Sequence, residues 1–147
     1  MKTRSISAVV VILGGFAVLG LLAREEAGAQ VAKGKTRPAP TKYLMRGITQ
    51  PNCKGIADLL KDPGPADDKA WETAACHAAC LNELSAALMQ DGRCPDATWA
   101  GASKSLTEGS AAVLAAAEKK DLAAAKTAFG TVTASCKTCH DAHKPKK

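Results

Sequence analysis

Three long stretches of the chain carry core-type side chains at alternating steps of three and four residues, the spacing of one face of an α-helix. The first runs from about Ala66 to Gln90, the second follows Pro95 and the third follows Asp121. Their stripes consist of Trp71, Ala74, Ala78, Leu81, Ser85 and Leu88; of Trp99, Ala102, Leu106, Ser110, Val113 and Ala117; and of Leu122, Ala125, Phe129, Val132, Cys136, then Cys139 or His140, then His143. No segment alternates with the period of two expected of a half-buried strand. The pattern predicts an all-α protein.

The helical segments are separated by short breaks. Pro95 suits the first position of the third helix, which it is predicted to begin, and Asp121 is a candidate N-cap for the last helix. A further segment, from about Thr41 to Lys61, contains Pro51, which lacks a backbone donor and is expected to break or kink the helix, giving either two short helices or one kinked helix. Because short connections favour antiparallel neighbours, the sequence predicts an up-down-up-down four-helix bundle.

The amino-terminal residues 1–29 have the pattern of a secretory signal. A basic start precedes an apolar run from Ile6 to Ala23, and residues 27–29 supply a small-x-small cleavage site. Because the run approaches the length of a membrane span, an uncleaved anchor is the competing interpretation. Either way the remaining chain is exported. We expect a flexible leader over residues 30–40 and a single domain over residues 41–147.

Near the carboxyl end, Cys136, Cys139 and His140 form a C-x-x-C-H motif. A dithiol redox pair does not need the histidine, and a zinc site needs further ligands at matched spacing. Covalent attachment of a c-type haem uses all three residues: the cysteines form thioether bonds along one helical turn, and the histidine presents its imidazole to the iron. We therefore expect one covalent haem c on the C-terminal helix. The alternative is a disulfide or dithiol pair beside an incidental histidine.

The bundle topology also suggests a ligand for the opposite face of the iron. The first helix begins at the end of the bundle where the fourth helix finishes, so the segment from Tyr43 to Ile48 should lie near His140. Met45 is then the candidate sixth ligand, with ordinary core packing as the alternative. A thioether opposite an imidazole gives low-spin iron with a raised reduction potential, which suits electron transfer. An unligated site would be open to small gases.

A carboxyl-terminal "CKTCHDAH" on the last helix of an alanine-rich bundle, behind a signal segment, resembles class II cytochrome c, the cytochrome c′ family, over about Tyr43 to Lys144. The resemblance implies that Cys136 and Cys139 attach the haem and that His140 is the proximal ligand. It also implies that the first helix presents the residue that fills the sixth site or leaves it open. That residue would be Met45 or, less favoured, Leu44.

The chain departs from the family pattern at three places. Lys144 stands where the family often has arginine, preceded by His143 where an aromatic residue is common, and Pro51 interrupts the first helix. The third departure is a set of extra cysteines: Cys53, Cys76, Cys80 and Cys94.

These four extra cysteines have two interpretations. His77 stands between Cys76 and Cys80, which invites a metal site, although no further soft ligand is fixed nearby. Disulfides are the favoured alternative, because export makes oxidation expected and folding the first helix onto the second brings Cys53 near the level of Cys76 or Cys80. The sequence leaves the pairing, including that of Cys94, open.

The charge of the chain indicates which kinds of partner it can bind. The formal net charge of +6 is spread along the chain, with a basic leader and a Lys-rich tail and without interleaved aromatic residues, so no nucleic-acid partner is predicted. Such a surface would steer an acidic redox partner protein. Membrane contact is expected only if the amino-terminal segment is retained, and a homodimer is left open.

The sequence therefore predicts an exported, periplasmic monohaem cytochrome that transfers electrons and is not an enzyme. No triad order, paired carboxylates or phosphate loop stands out. One alternative is a five-coordinate haem protein that binds NO or CO, and the other is a cofactor-free bundle stapled by disulfides.

Overall fold

The computed structural model describes residues 33–144, so the predicted signal segment, residues 30–32 of the leader and the last three residues of the tail lie outside the described residues. Helix α1 consists of three consecutive stretches, and α2, α3 and α4 follow it. The bounds are Thr41–Leu44, a π-helical Met45–Thr49 and Gln50–Leu59 for α1, Asp68–Met89 for α2, Ala97–Glu118 for α3 and Leu122–His143 for α4. Apart from one bridge between Lys33 and Pro40, the described chain contains no β-structure. The all-α prediction is confirmed, and the arrangement is consistent with a four-helix bundle.

The three long helices begin in the same way, with an aspartate side chain that accepts a hydrogen bond from a first-turn amide. Asp67 accepts from the amide of Ala70 at 2.8 Å, and Asp121 accepts from that of Ala124 at 3.0 Å. Each cap satisfies one of the free N–H groups that every helix start exposes. The prediction of Asp121 as an N-cap is confirmed.

The predicted start of α3 at Pro95 is wrong by two residues. The helix begins at Ala97, because Asp96 takes the cap position and its carboxylate accepts from the amide of Trp99 at 2.9 Å. Pro95 therefore precedes the cap.

Helix α1 continues through Pro51, so of the two expected outcomes the division into two short helices is wrong. The proline is the second residue of the last stretch, and the π-helical turn lies immediately before it. A π-turn replaces the i→i+4 pattern with i→i+5 bonds, and this accommodates a residue that has no N–H to donate and whose ring crowds the preceding turn. The irregular turn contains Met45.

The predicted stripes form the core. Every stripe residue of α2 and α3 is buried, and on α4 Ala125 and Val132 are fully buried while the others are half-buried. Helix α3 packs closely on both α2 and α4. At Gly109 a Cβ atom would lie 3.1 Å from the backbone nitrogen of Val132, so the glycine permits this close approach. Helix α1 packs on α2, whereas its backbone hardly approaches α4.

The start of α1, the turn between α2 and α3 and the end of α4 lie together at one end of the bundle. Buried Arg93 donates to the carbonyl of Ala39 at 2.9 Å. The His143 Nε2 atom lies 3.3 Å from Asp96 Oδ1. These contacts place the first residues of α1 and the last residues of α4 at the same end of the bundle.

The described part of the leader, residues 33–40, is held at this end by Asp91. The carboxylate accepts from the amide and hydroxyl of Thr36 at 3.0 and 3.1 Å and from the amide of Arg37 at 3.2 Å. Burial alone would raise the pKa of Asp91, but the hydrogen bonds from Thr36 and Arg37 outweigh it and lower the pKa. None of the described helices is long and apolar enough to cross a membrane.

Candidate functional site

A cavity between the helices contains the C-x-x-C-H motif in its wall. It encloses about 350 Å³ of empty space, including its open mouth. All four helices contribute to its lining: Met45 and Thr49 from α1, Leu88 from α2, Ala102, Ser103 and Leu106 from α3, and Ser135, Cys136, Cys139 and His140 from α4. The cavity lies on the side of the bundle where α1 and α4 hardly contact each other.

The last two turns of α4 bring the motif to one face. Residues three and four apart share a helix face, so Cys136, Cys139 and His140 all line the cavity. The three side chains are half-buried. Ser135 beside them is buried and donates to the carbonyl of Val132 at 2.7 Å, which satisfies its hydroxyl within the helix.

Met45 lines the same cavity from α1. The hydroxyl of buried Thr49 donates to the Met45 thioether with an oxygen–sulfur distance of 3.4 Å. Leu44, the less favoured candidate, packs against the core and does not line the cavity. The structure thus brings Met45 and the motif together. Thr49 and Ser135 were missed by the sequence analysis, because a Thr or Ser in a helix gives no signal of its own.

The environment of His140 favours the form of imidazole that binds metals. Burial is the main cause that lowers its pKa; the positive charge of Lys144 lowers it further, and Asp141 partly opposes both. Neutral imidazole is the ligating form.

The thiols of the motif lie in different surroundings. Cys136 shares a hydrogen bond with the thiol of Cys53 on α1, which is the main cause that lowers the pKa of Cys136 and raises that of Cys53. Burial, assisted by the negative charges of Cys136 and Asp96, raises the pKa of Cys139 to about 11.

The chemistry of this lining fits a c-type haem. Thioether attachment needs two thiols, and the iron needs a neutral imidazole on one face; a thioether sulfur is an accepted ligand for the other face. The remaining walls are largely apolar, as a porphyrin requires. A second groove, between α3 and α4, is lined by alanine, glycine, serine and threonine only and offers no ligating group.

The extra cysteines, whose pairing the sequence leaves open, form no disulfide in the structure. All six cysteines are free thiols; Cys76 and Cys80 are exposed on α2, and the Cys94 thiol contacts the carbonyl of Asp96. Asn52, the residue before Cys53, does lie beside the Cys76–Cys80 segment of α2, since its Oδ1 lies 2.8 Å from His77 Nδ1. The thiol of the adjacent Cys53 instead affects the pKa of Cys136 on α4, because the next residue along a helix points about 100° away.

The metal interpretation of His77 is not supported either. No group of three potential ligating side chains occurs within residues 33–144. The His77 ring instead packs directly against Gly55 of α1, since a Cβ at Gly55 would overlap it.

His143 belongs to the end of the bundle and does not line the cavity. Its ring stands edge-on to buried Trp99, with centroids 5.5 Å apart. Its Nε2 atom is near Asp96 but has no hydrogen-bond partner among the described residues. Arg93, the buried cation nearby, was missed because its turn was taken only as the end of a helix.

An all-α bundle with C-x-x-C-H in the wall of an apolar cavity has the features expected of a helical haem protein. The family model described as cytochrome C′ matches residues 44–144. The chain therefore belongs to the cytochrome c′ family, the class II cytochromes, which implies a haem cofactor and a typically non-catalytic role. No individual curated protein and no solved structure matches the chain significantly.

Proposed function

We propose that this protein is an exported monohaem cytochrome that transfers electrons through a covalently attached haem c. Cys136 and Cys139 provide the thioether bonds, His140 the proximal ligand and Met45 the sixth ligand. The observation that carries the proposal is that Met45 from α1 and the motif from α4 line one cavity.

Each residue has a defined task in this proposal. A haem bound here supplies a one-electron iron couple. The two cysteines would hold the porphyrin to α4, and His140, whose pKa is lowered mainly by burial, would bind the iron through its neutral imidazole. Thr49 holds the thioether of Met45 in place from the next turn of α1.

This ligand pair would produce low-spin iron, whose bond lengths to its ligands change little between oxidation states, and this suits electron transfer. No triad or other catalytic constellation accompanies the site, and we propose that the protein is not an enzyme.

The pattern of residues 1–29 supports a periplasmic location, and the net charge supports an acidic partner. A periplasmic location follows from the signal pattern, with membrane attachment only if the segment is retained. The positive charge of +6 favours an acidic redox partner.

The visible absorption spectrum of the chain, produced in a host with haem-attachment machinery, tests the proposal. We expect sharp low-spin bands on reduction, and haem that stays with the polypeptide after denaturation. The Cys136→Ala/Cys139→Ala variant should lose covalent haem, whereas the matched Cys76→Ala/Cys80→Ala variant, which removes exposed thiols, should retain it.

Met45→Ala tests the sixth ligand. We expect a shift from low-spin to high-spin bands and a lower reduction potential, while Leu44→Ala, one residue away and outside the cavity lining, keeps the low-spin spectrum. High-spin bands and CO binding in the unmutated protein would instead show an open, gas-binding site. A colourless protein with only free or disulfide-bonded cysteines would contradict the cytochrome proposal.

A further inference from the structure

The hydroxyl of Thr49 has an acceptor that other helical threonines of this chain do not use. The hydroxyls of Thr73 on α2 and Thr127 on α4 each donate to the backbone carbonyl four residues before them, at 2.7 and 3.0 Å. The hydroxyl of Thr49 also reaches back four residues, but it donates to a side chain, the thioether sulfur of Met45, at 3.4 Å. Its acceptor is therefore the atom proposed to bind the iron.

The π-helical turn of α1 explains this choice. The carbonyl of Met45 accepts from the N–H of Gln50, five residues further on, as in a π-turn and unlike an α-helix. The wider turn changes the position of Thr49 relative to that carbonyl, and its hydroxyl meets the sulfur. Thr49 is 8% exposed, and a buried hydroxyl needs a partner within the protein. Met45 supplies that partner at the wall of the cavity.

A hydrogen bond to a thioether changes what the sulfur can give to a metal. The sulfur has two lone pairs, so it can accept from Thr49 with one and still bind iron with the other. The hydrogen bond withdraws electron density and makes the sulfur a weaker electron donor. A weaker donor stabilises ferric iron less than ferrous iron, because the ferric ion carries one more positive charge. Hydrogen bonds to ligands are one of the means by which proteins set the reduction potential of a bound iron.

We propose that Thr49 is a positioning residue that acts through Met45: its hydrogen bond to the thioether raises the reduction potential of the bound haem. The inference rests on the proposed function, because Met45 is assigned there as the sixth ligand. It adds that a side chain outside the ligand set adjusts the potential at which the protein exchanges electrons.

Three substitutions separate the hydroxyl from the shape of the side chain. Thr49→Val keeps the branched shape and removes the hydroxyl, whereas Thr49→Ser keeps the hydroxyl and removes a methyl group. Thr127→Val makes the first change at an exposed position outside the cavity lining. Because a thioether is a weak acceptor, its loss of a hydrogen bond leaves no strong polar group unsatisfied, and we expect each variant to fold. Circular dichroism checks this.

The midpoint potential of the haem-loaded protein is the main measurement, made by redox titration followed through the absorption spectrum. We expect a lower potential in Thr49→Val, a potential close to that of the unmutated protein in Thr49→Ser, and no change in Thr127→Val. An unchanged potential in Thr49→Val would overturn the proposal. An equal fall in the valine and serine variants would also overturn it, because the effect would then come from packing.

A second measurement shows whether Met45 stays on the iron. In the reduced protein, the methyl signal of a methionine bound to haem iron is shifted far upfield in the proton NMR spectrum by the porphyrin ring current. We expect this signal in the unmutated protein and in Thr49→Val, so that the fall in potential reports the hydrogen bond alone. Loss of the signal in Thr49→Val would contradict the adjusting role, since the fall would then come from a lost ligand.

The failure of this inference differs from the failure of the proposed function. A low-spin unmutated protein with the upfield methyl signal, whose potential does not respond to Thr49→Val, keeps Met45 as the ligand and removes only the role of Thr49. A high-spin unmutated protein without that signal would overturn the assignment of Met45 and this inference with it.

Discussion

The three long helices and α1 solve the same packing problem differently. Helices α2, α3 and α4 each have 22 residues and an aspartate N-cap, and each turns one face of buried side chains toward the core. Helix α1 is assembled from three stretches, contains a π-turn and a proline, and hardly contacts α4. The regular trio builds most of the core, and the irregular helix contributes Met45 and Thr49 to the wall of the cavity that contains the proposed haem site. The comparison teaches that stability and function fall to different helices: α2, α3 and α4 supply regular packing, and α1 supplies the proposed sixth ligand.

The largest effect is expected in the regular trio. Trp99 is 1% exposed, and its indole N–H donates to the carbonyl of Leu88 at 2.9 Å. Trp99→Ala removes the ring and leaves that carbonyl without the bond, so we expect a loss of about 3–5 kcal/mol in the free energy of unfolding. Chemical denaturation measures it. Met89→Ala, at an exposed position, should change stability by no more than about 0.5 kcal/mol; equal effects would contradict the core assignment.

A second substitution probes the close approach of α3 and α4. A Cβ at Gly109 would meet Val132, whereas a Cβ at Gly101, on the same helix, has nothing within 4 Å. Gly109→Ala should cost about 1–3 kcal/mol by forcing the helices apart. Gly101→Ala should gain about 0.5–1 kcal/mol, because alanine favours a helix interior over glycine. Opposite signs in thermal unfolding are expected, and a gain from both would show that the helices are not closely packed.

The third prediction concerns α1 and its effect on the site. If the π-turn is maintained by Pro51, Pro51→Ala allows a regular helix, and removing the extra residue of the turn rotates Met45 by about 100° relative to Cys53. We expect the low-spin fraction of the haem-loaded protein to fall while the helical circular dichroism is retained. Gln50→Ala, the exposed neighbour, should leave the spectrum unchanged. An unchanged low-spin spectrum in the Pro51 variant would contradict the prediction that the π-turn positions Met45 to bind the iron.

The smallest effect is expected at the leader. Asp91 has a pKa below its ordinary value of about 3.9. Its hydrogen bonds to the leader therefore add stability that is complete above that ordinary value and is lost as the pH falls through the lowered pKa. Asp91→Asn should lower the melting temperature at pH 7, and the difference should shrink as the pH falls through the lowered pKa.

Asparagine tolerates the positive φ of 59° at this position, so backbone strain does not confuse the comparison. Glu72→Gln, on an exposed face of α2, matches the change in net charge and should have no such pH dependence. A difference that persists at low pH would contradict the role of the carboxylate.

The sequence determined the helices and their buried faces, because a period of three to four residues leaves one arrangement that hides the stripes from water. It also determined the chemistry of the motif, since the spacing of Cys136, Cys139 and His140 places all three on one face. Pro95 was misplaced because an N-cap depends on which side chain reaches the free amides.

Only the tertiary structure decided what the first helix does. The local sequence shows that Pro51 cannot donate a hydrogen bond, but whether the helix breaks or widens into a π-turn depends on its packing against α2. The partner of Cys53 was decided in the same way: the level of a residue along the bundle follows from helix lengths, whereas the direction of its side chain depends on the rotation of α1 about its axis. That rotation, fixed by packing, turns Cys53 toward Cys136 and brings Met45 to the wall of the cavity.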